Sequence, residues 1–178
     1  APEGRATEGI TKFLASNPEM YGKVEKVNFP SLLGGTGVAP GTADAVVTFR
    51  NVHNWRMGSY KPDNADYSVE AFKELYAMLK PGGVLGIEDH RLPEGASEER
   101  ERQSGYLKVS TVRRLAEQAG FKFAGSSEIN ANPKDTKDYP KGVWTLPPRL
   151  AEGDTDRAKY LAIGESDRMT LKFVKPAR

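Results

Sequence analysis

Two short apolar runs constrain this chain more than any other feature. Ala45-Val46-Val47-Thr48-Phe49, introduced by Asp44, and Val84-Leu85-Gly86-Ile87-Glu88 are almost unbroken by polar residues. Strands buried on both faces read this way, and such strands belong to parallel sheets. Between the runs, Val69, Phe72, Leu75, Tyr76 and Leu79 keep helical period, with Ser68 placed to cap the helix and Lys80-Pro81-Gly82-Gly83 to stop it. The order strand, helix, strand predicts an α/β sheet whose faces are covered.

The remaining elements fit that frame. Ile10, Phe13 and Leu14 predict a short amphipathic helix ending at Asn17-Pro18, and Val24, Val27 and Phe29 predict a strand. Ser31–Thr42 is rich in Gly and Pro and reads as loop. The charged stretch Glu94–Gln103 reads as a solvated face or mobile loop. Val112, Leu115, Ala116 and Ala119 predict a helix closed by Gly120, followed by a strand over Phe121–Ile129. Residues 130–166 form a polar, Pro-rich excursion containing Trp144 and a short helix at Asp156–Ile163. It is too long for an ordinary connection and is expected to act as a lid or clamp. Met169–Val174 is the last predicted strand.

The chain of 178 residues suits one domain, 1–178, and its 38% apolar content supports a packed core. With 26 Lys+Arg against 24 Asp+Glu, the net charge of +2 gives no electrostatic case for nucleic acid. No apolar run approaches the ~20 residues of a membrane span. The absence of cysteine excludes disulfides, Cys-bearing zinc sites and cysteine nucleophiles, and leaves the compartment open between cytoplasm and an exported location.

In open α/β sheets ligands bind beyond the carboxyl ends of the strands. Three segments are expected there: Arg50-Asn51-Val52-His53-Asn54-Trp55, Asp89-His90-Arg91, and Asn130 to Asp135. Both histidines of the chain fall just past a predicted buried strand, so either a functional or a purely structural role is open for each.

Here the sequence resembles a known family. The segment Asp44 to Trp55, the helix after it, and Leu79-Lys-Pro-Gly-Gly-Val-Leu-Gly-Ile-Glu88 look like the fourth strand, helix and fifth strand of a class I S-adenosylmethionine-dependent methyltransferase. More narrowly, Ser126–Asp138, Trp144-Thr-Leu-Pro-Pro148 and Tyr160–Met169 resemble a bacterial group of predicted methyltransferases. The resemblance implies a Rossmann-like, doubly wound sheet and S-adenosylmethionine as cofactor. Such proteins open with a strand, a Gly-rich turn and a helix, then a strand ending in an acidic residue for the ribose hydroxyls. Neither is visible here. Leu33-Gly-Gly-Thr-Gly37 precedes a loop rather than a helix and is no substitute. The chain is therefore expected to be the carboxyl-terminal part of a longer enzyme that lacks its first two strands. Alone it is expected to bind the cofactor weakly or not at all. An uncovered sheet edge is an aggregation liability, so a second copy of the chain is the first candidate to cover it.

The resemblance also distributes roles. His53-Asn54-Trp55 is similar to the His-Asp-Trp segment of plant-type O-methyltransferases, in which the His is the general base; Asn54 stands where that pattern has Asp. His53 is thus a candidate base and His90 an alternative one. The bland reading has His53 only fixing its loop. Arg50 and Asn51 sit where the family contacts the cofactor, although Arg50 could equally pair with Asp44 or Glu88. Glu88, Arg91, Asn130, Asn132 and Asp135 are candidates for binding a polar small-molecule acceptor. Trp55 and Trp144 could flank an aromatic one, with core packing favoured for Trp55. Two further readings stay open: a non-catalytic binding module of the same fold, and a metal site of His53, His90 and Glu88 with the two-His-one-carboxylate composition.

Overall fold

A computed structural model describes residues 5–34 and 37–177. In chain order its helices are α1 (Arg5–Ala15), α2 (Pro18–Tyr21), α3 (Val52–Arg56), α4 (Ser68–Met78), α5 (Glu98–Gln103), α6 (Val109–Gln118) and α7 (Arg157–Ile163). Its strands are β1 (Ala43–Phe49), β2 (Leu79–Leu92), β3 (Leu107–Lys108), β4 (Lys122–Ser127) and β5 (Arg168–Val174). The sheet order is β1-β2-β5-β4, with β3 beside the far end of β2. β1 and β2 run parallel, joined through α4, whereas β5 is antiparallel to both β2 and β4.

One face of the sheet carries the core. Thr48 lies opposite Ile87, Ile87 opposite Leu171, and Leu85 opposite Phe173, so register alone aligns these side chains on one side. Against them pack Ala71, Phe72 and Leu75 of α4 and Val112, Leu115 and Ala116 of α6, all buried. Each large apolar side chain removed from water in this way contributes about 1.5–3 kcal/mol. At the start of β2, Gly83 is required by close approach: a Cβ there would lie 2.9 Å from the Lys80 carbonyl oxygen and 3.2 Å from that of Asp44. Gly82 beside it has φ +81°, a left-handed conformation that glycine adopts freely. The Lys-Pro-Gly-Gly segment is thus an irregularity inside the β1–β2 ladder.

Several expectations are corrected. Residues 24–29 form no strand. Val24 and Val27 are exposed, the spacing 24, 27, 29 breaks the two-residue period, and Pro30 lacks a ladder donor. Phe29 instead sets its edge on Trp55, ring centroids 5.6 Å apart. β1 is not buried on both faces. Val47 and Phe49 are 64% and 62% exposed, because among the described residues nothing covers their side of the sheet or pairs with the outer edge of β1. β2 continues through Asp89, His90 and Arg91 to Leu92, because β5 and β3 supply ladder partners beyond Glu88. His90 therefore lies within a strand rather than after one. The stretch Glu98–Gln103 is a helix capped by Ser97, and its Glu101 is fully buried, accepting from the Lys108 N–H at 2.8 Å. Ser68 opens α4 from the first helical position, its N–H and hydroxyl both donating to Asp66. Leu33 ends a short 3-10 turn at Ser31–Leu33, Gly37 is followed by loop and then β1 rather than by a helix, and Gly35 and Thr36 lie outside the described residues.

Candidate active site

The site is built where β1 ends and β2 continues. Arg50 leaves β1 with φ +53° while its N–H still donates to the Glu88 carbonyl at 2.8 Å. This turn starts α3 at once, and the first turn of α3 lays His53 over β2. The His53 backbone N–H donates to Asp89 Oδ2 at 3.1 Å, and His53 Nδ1 lies 2.7 Å from Asp89 Oδ1. The His90 N–H donates to the same Oδ1 at 2.8 Å.

Asp89 is fully buried. Burial pushes its carboxyl up, but the neighbouring His53 imidazole and the His90 N–H more than offset this and hold it below the usual carboxylate range. An ionised carboxylate only accepts hydrogen bonds, so the proton on His53 sits on Nδ1 and Nε2 is left as the basic nitrogen. Among the described residues no hydrogen bond occupies that Nε2.

The two imidazoles share one cleft, ring centroids 5.1 Å apart. His90 Nδ1 lies 2.6 Å from Ser166 Oγ, and burial depresses the His90 pKa to about 3, so the ring is neutral at ordinary pH. His53, His90 and Ser166 are buried at the bottom of a cavity of about 240 Å³. Its walls include Val143, Trp144, Leu146, Pro147 and Pro148, and its charged groups are Arg50, Arg149, Glu165 and Arg168. The Trp144 ring stands edge-on to His53 at 6.2 Å. It rests where Gly105 has no side chain, since a Cβ there would come within 3.0 Å of the indole.

The predicted site residues do not all come together. Arg50, His53, Asn54, His90 and Trp144 come together around the cleft. Glu88 borders it through a neighbouring hollow that also involves Arg50, Asn130 and Arg168. Burial raises the Glu88 carboxyl above its usual range, helped by the Asp89 charge and opposed by Arg168, with which it pairs. Arg91, Asn132 and Asp135 instead bind the protein itself. Arg91 grips Asp167 with Nε and Nη2, and also reaches Glu128. The Asn132 side-chain amide donates to the carbonyls of Ile163 and Glu165, and its N–H donates to Asp167. Asp135, 2% exposed, accepts from Tyr106 Oη, the Asp167 N–H and the Lys137 N–H. Asn130 donates to Thr170 Oγ1. This network anchors the 130–166 excursion to the ends of β2 and β5 and so sets Ser166 against His90. Trp55 packs edge-on against Phe72 at 5.9 Å and is buried in the core.

The third ligand of a two-His-one-carboxylate arrangement is Asp89, not Glu88: single donor atoms of His53, Asp89 and His90 lie within 4.8 Å of one another. The short His53–Asp89 contact and the backbone donors already engage that carboxylate.

Asn51 caps α3 without a side-chain capping bond, and it lines a second, apolar cavity of about 540 Å³ between β1, α4 and the loop carrying Phe29 and Leu33. The sequence places Asp89 in a segment at the ligand edge but gives it no role of its own, and it assigns none to Ser166, Arg149 or Arg168. For Asp89 a signal existed: an acid beside a histidine inside an apolar strand needs a partner. For the other three, 76 residues separate Ser166 from His90, and no local pattern links them.

No protein-family model matches the sequence, and no curated protein matches it. Solved structures do. The chain is similar to the [4+2]-cyclase SpnF, with 13% identity over 96% of this chain and 62% of that one, and a TM-score of 0.56. It is similar to a protein from Galdieria sulphuraria provisionally identified as a sarcosine dimethylglycine methyltransferase, with 14% identity over 97% of this chain and 67% of that one, TM-score 0.57. It is also similar to a protein from Bordetella parapertussis provisionally described as exported, with 14% identity over 98% of this chain and 51% of that one, TM-score 0.52. The chain thus spans between half and two thirds of the length of these structures. Such identities speak for fold and not for reaction, and a cyclase stands beside a methyltransferase among the matches. No helix of the described residues is long and apolar enough to cross a membrane. The chain has the Rossmann-like α/β fold of the class I methyltransferases.

Proposed function

We propose that this chain carries the acceptor-binding half of an S-adenosylmethionine-dependent methyltransferase acting on a small molecule, with His53 as the general base. The observation that carries this reading is the His53–Asp89 pair at 2.7 Å in the floor of the cleft. S-adenosylmethionine, where bound, supplies a methyl group on a sulfonium. The protein's tasks are then to position the acceptor and remove its proton. Asp89 fixes the His53 tautomer so that Nε2 takes the acceptor proton, and it stabilises the imidazolium that results. His90, kept neutral, adds no competing charge and offers the acceptor a hydrogen-bonding partner.

The residues at the β1 end fit one side of a cofactor site. The Asn51 side chain is free of capping duty and Arg50 is exposed beside it. In this reading Arg50 and Asn51 meet the cofactor, and the remainder of its site comes from outside the described residues. The open edge of β1, with Val47 and Phe49 exposed, supports further chain pairing there, from the same protein or from a second copy. The 130–166 excursion, bearing Trp144, acts as a partial lid.

The test is to incubate the full-length protein with methyl-labelled S-adenosylmethionine and a panel of hydroxylated and aminated small molecules. Transfer of label to at least one acceptor is expected, with S-adenosylhomocysteine as coproduct. Cofactor binding without transfer to any acceptor would favour the non-catalytic module.

A further inference from the structure

Charge is the property of the cleft that proton transfer leaves unused. Besides Asp89, which is taken up by His53, two carboxylates border the cleft, Glu88 and Glu165, and Arg168 pairs with both. Arg149 is exposed at the cavity mouth, and among the described residues no carboxylate pairs with it. Its place is set by a tight loop: the Leu150 N–H donates to the Leu146 carbonyl at 3.0 Å, and the Ala151 N–H to that of Trp144 at 2.9 Å. The guanidinium is thereby carried on the same loop as the Trp144 ring and the Pro147-Pro148 wall. A planar fork of donors beside an apolar slot matches a carboxylate on a flat ring. The cavity of about 240 Å³ falls below the roughly 300–1,000 Å³ of drug-sized sites, which suits a ligand of a single ring.

We propose that Arg149 selects an anionic acceptor, a single-ring hydroxyaromatic acid whose carboxylate meets Arg149, whose ring lies along Trp144 and the prolines, and whose hydroxyl reaches His53 on the floor. This deepens the methyltransferase reading and rests on its assignment of the cleft as the acceptor site. Arg149 is here a specificity residue; it takes no part in moving the proton.

The test uses 4-hydroxybenzoate and its uncharged analogue 4-hydroxybenzamide, titrated into the full-length protein without cofactor and followed by the Trp144 indole N–H resonance. The acid is expected to bind roughly fivefold or more tightly than the amide at low salt. Arg149→Gln should abolish that preference, and Arg113→Gln, on α6 and outside the cleft lining, should keep it. Equal binding of acid and amide, binding of neither up to about 10 mM (a free energy near −3 kcal/mol), or a preference kept without Arg149 would each overturn the proposal. Because no cofactor is present, the outcome is separable from methyl transfer. Acid selection through Arg149 in a protein that transfers no methyl group would remove the earlier reading and leave Arg149 as the carboxylate-selecting residue of a binding cleft. Equal methylation of neutral and acidic phenols would do the reverse.

Discussion

Asp89 Oδ1 lies 2.7 Å from His53 Nδ1, joining the first turn after β1 to the neighbouring strand β2 across 36 residues of sequence. The same carboxylate also receives the backbone N–H groups of His53 and His90. One buried acid therefore both closes the end of the parallel pair and sets the imidazole tautomer. Asp89→Asn keeps the volume but offers only one acceptor oxygen. We expect kcat of the full-length protein to fall by about a hundredfold or more. The unfolding free energy should fall as well, by about 1–3 kcal/mol in urea denaturation. Unchanged kcat with lowered stability would make Asp89 structural only.

Stability should decline on acidification in two stages. His90 is held down to about 3, below the ordinary 6.5, so between these values the unfolded chain takes up a proton that the folded one refuses. Stability is therefore lost as the pH falls below about 6.5. Asp89 is also depressed, so its contribution is complete above its unfolded value of about 3.9 and is lost as the pH drops through the folded one. Urea denaturation between neutral pH and about pH 3 measures the total, and His90→Gln should flatten the upper stage. His90 ring resonances that titrate near neutrality would contradict the assignment.

Burial separates carboxylates of similar appearance in the sequence. Asp135→Ala strands the Tyr106 hydroxyl and two backbone N–H groups, and should cost about 3 kcal/mol. Glu101→Ala leaves Arg56 and Lys108 without their buried partner and should cost about 3–5 kcal/mol. Glu128→Gln, at an exposed pair with Arg91, should cost under about 1 kcal/mol. Thermal unfolding of the three variants checks the order, and a large loss for Glu128→Gln would contradict it.

The strand–helix–strand frame from Asp44 to Glu88 was legible because apolar runs and helical period are local signals. So was the meeting of His53 and His90, because β1 and β2 are neighbouring parallel strands, although His90 lies within β2 and not past its end. The strand expected at 24–29 was illusory: Phe29 packs on Trp55, and Val24 and Val27 stay exposed. The exposure of β1 was hidden, because composition cannot tell which face a partner covers. Glu101 reads as solvated within a run of charges, yet helix geometry turns that one residue inward toward Arg56 and Lys108. Asp135 reads as turn chemistry and is an internal anchor, a distinction that only the placement of Tyr106 and Asp167 reveals.

The central claim is that His53 removes the acceptor proton. The direct measurement is kcat for methyl transfer by full-length His53→Ala beside the parent, with S-adenosylhomocysteine affinity measured on both. The account predicts turnover lower by roughly a hundredfold or more, with coproduct affinity nearly unchanged. Turnover within about twofold of the parent would contradict it, and would leave His53 a structural group and His90 the candidate base.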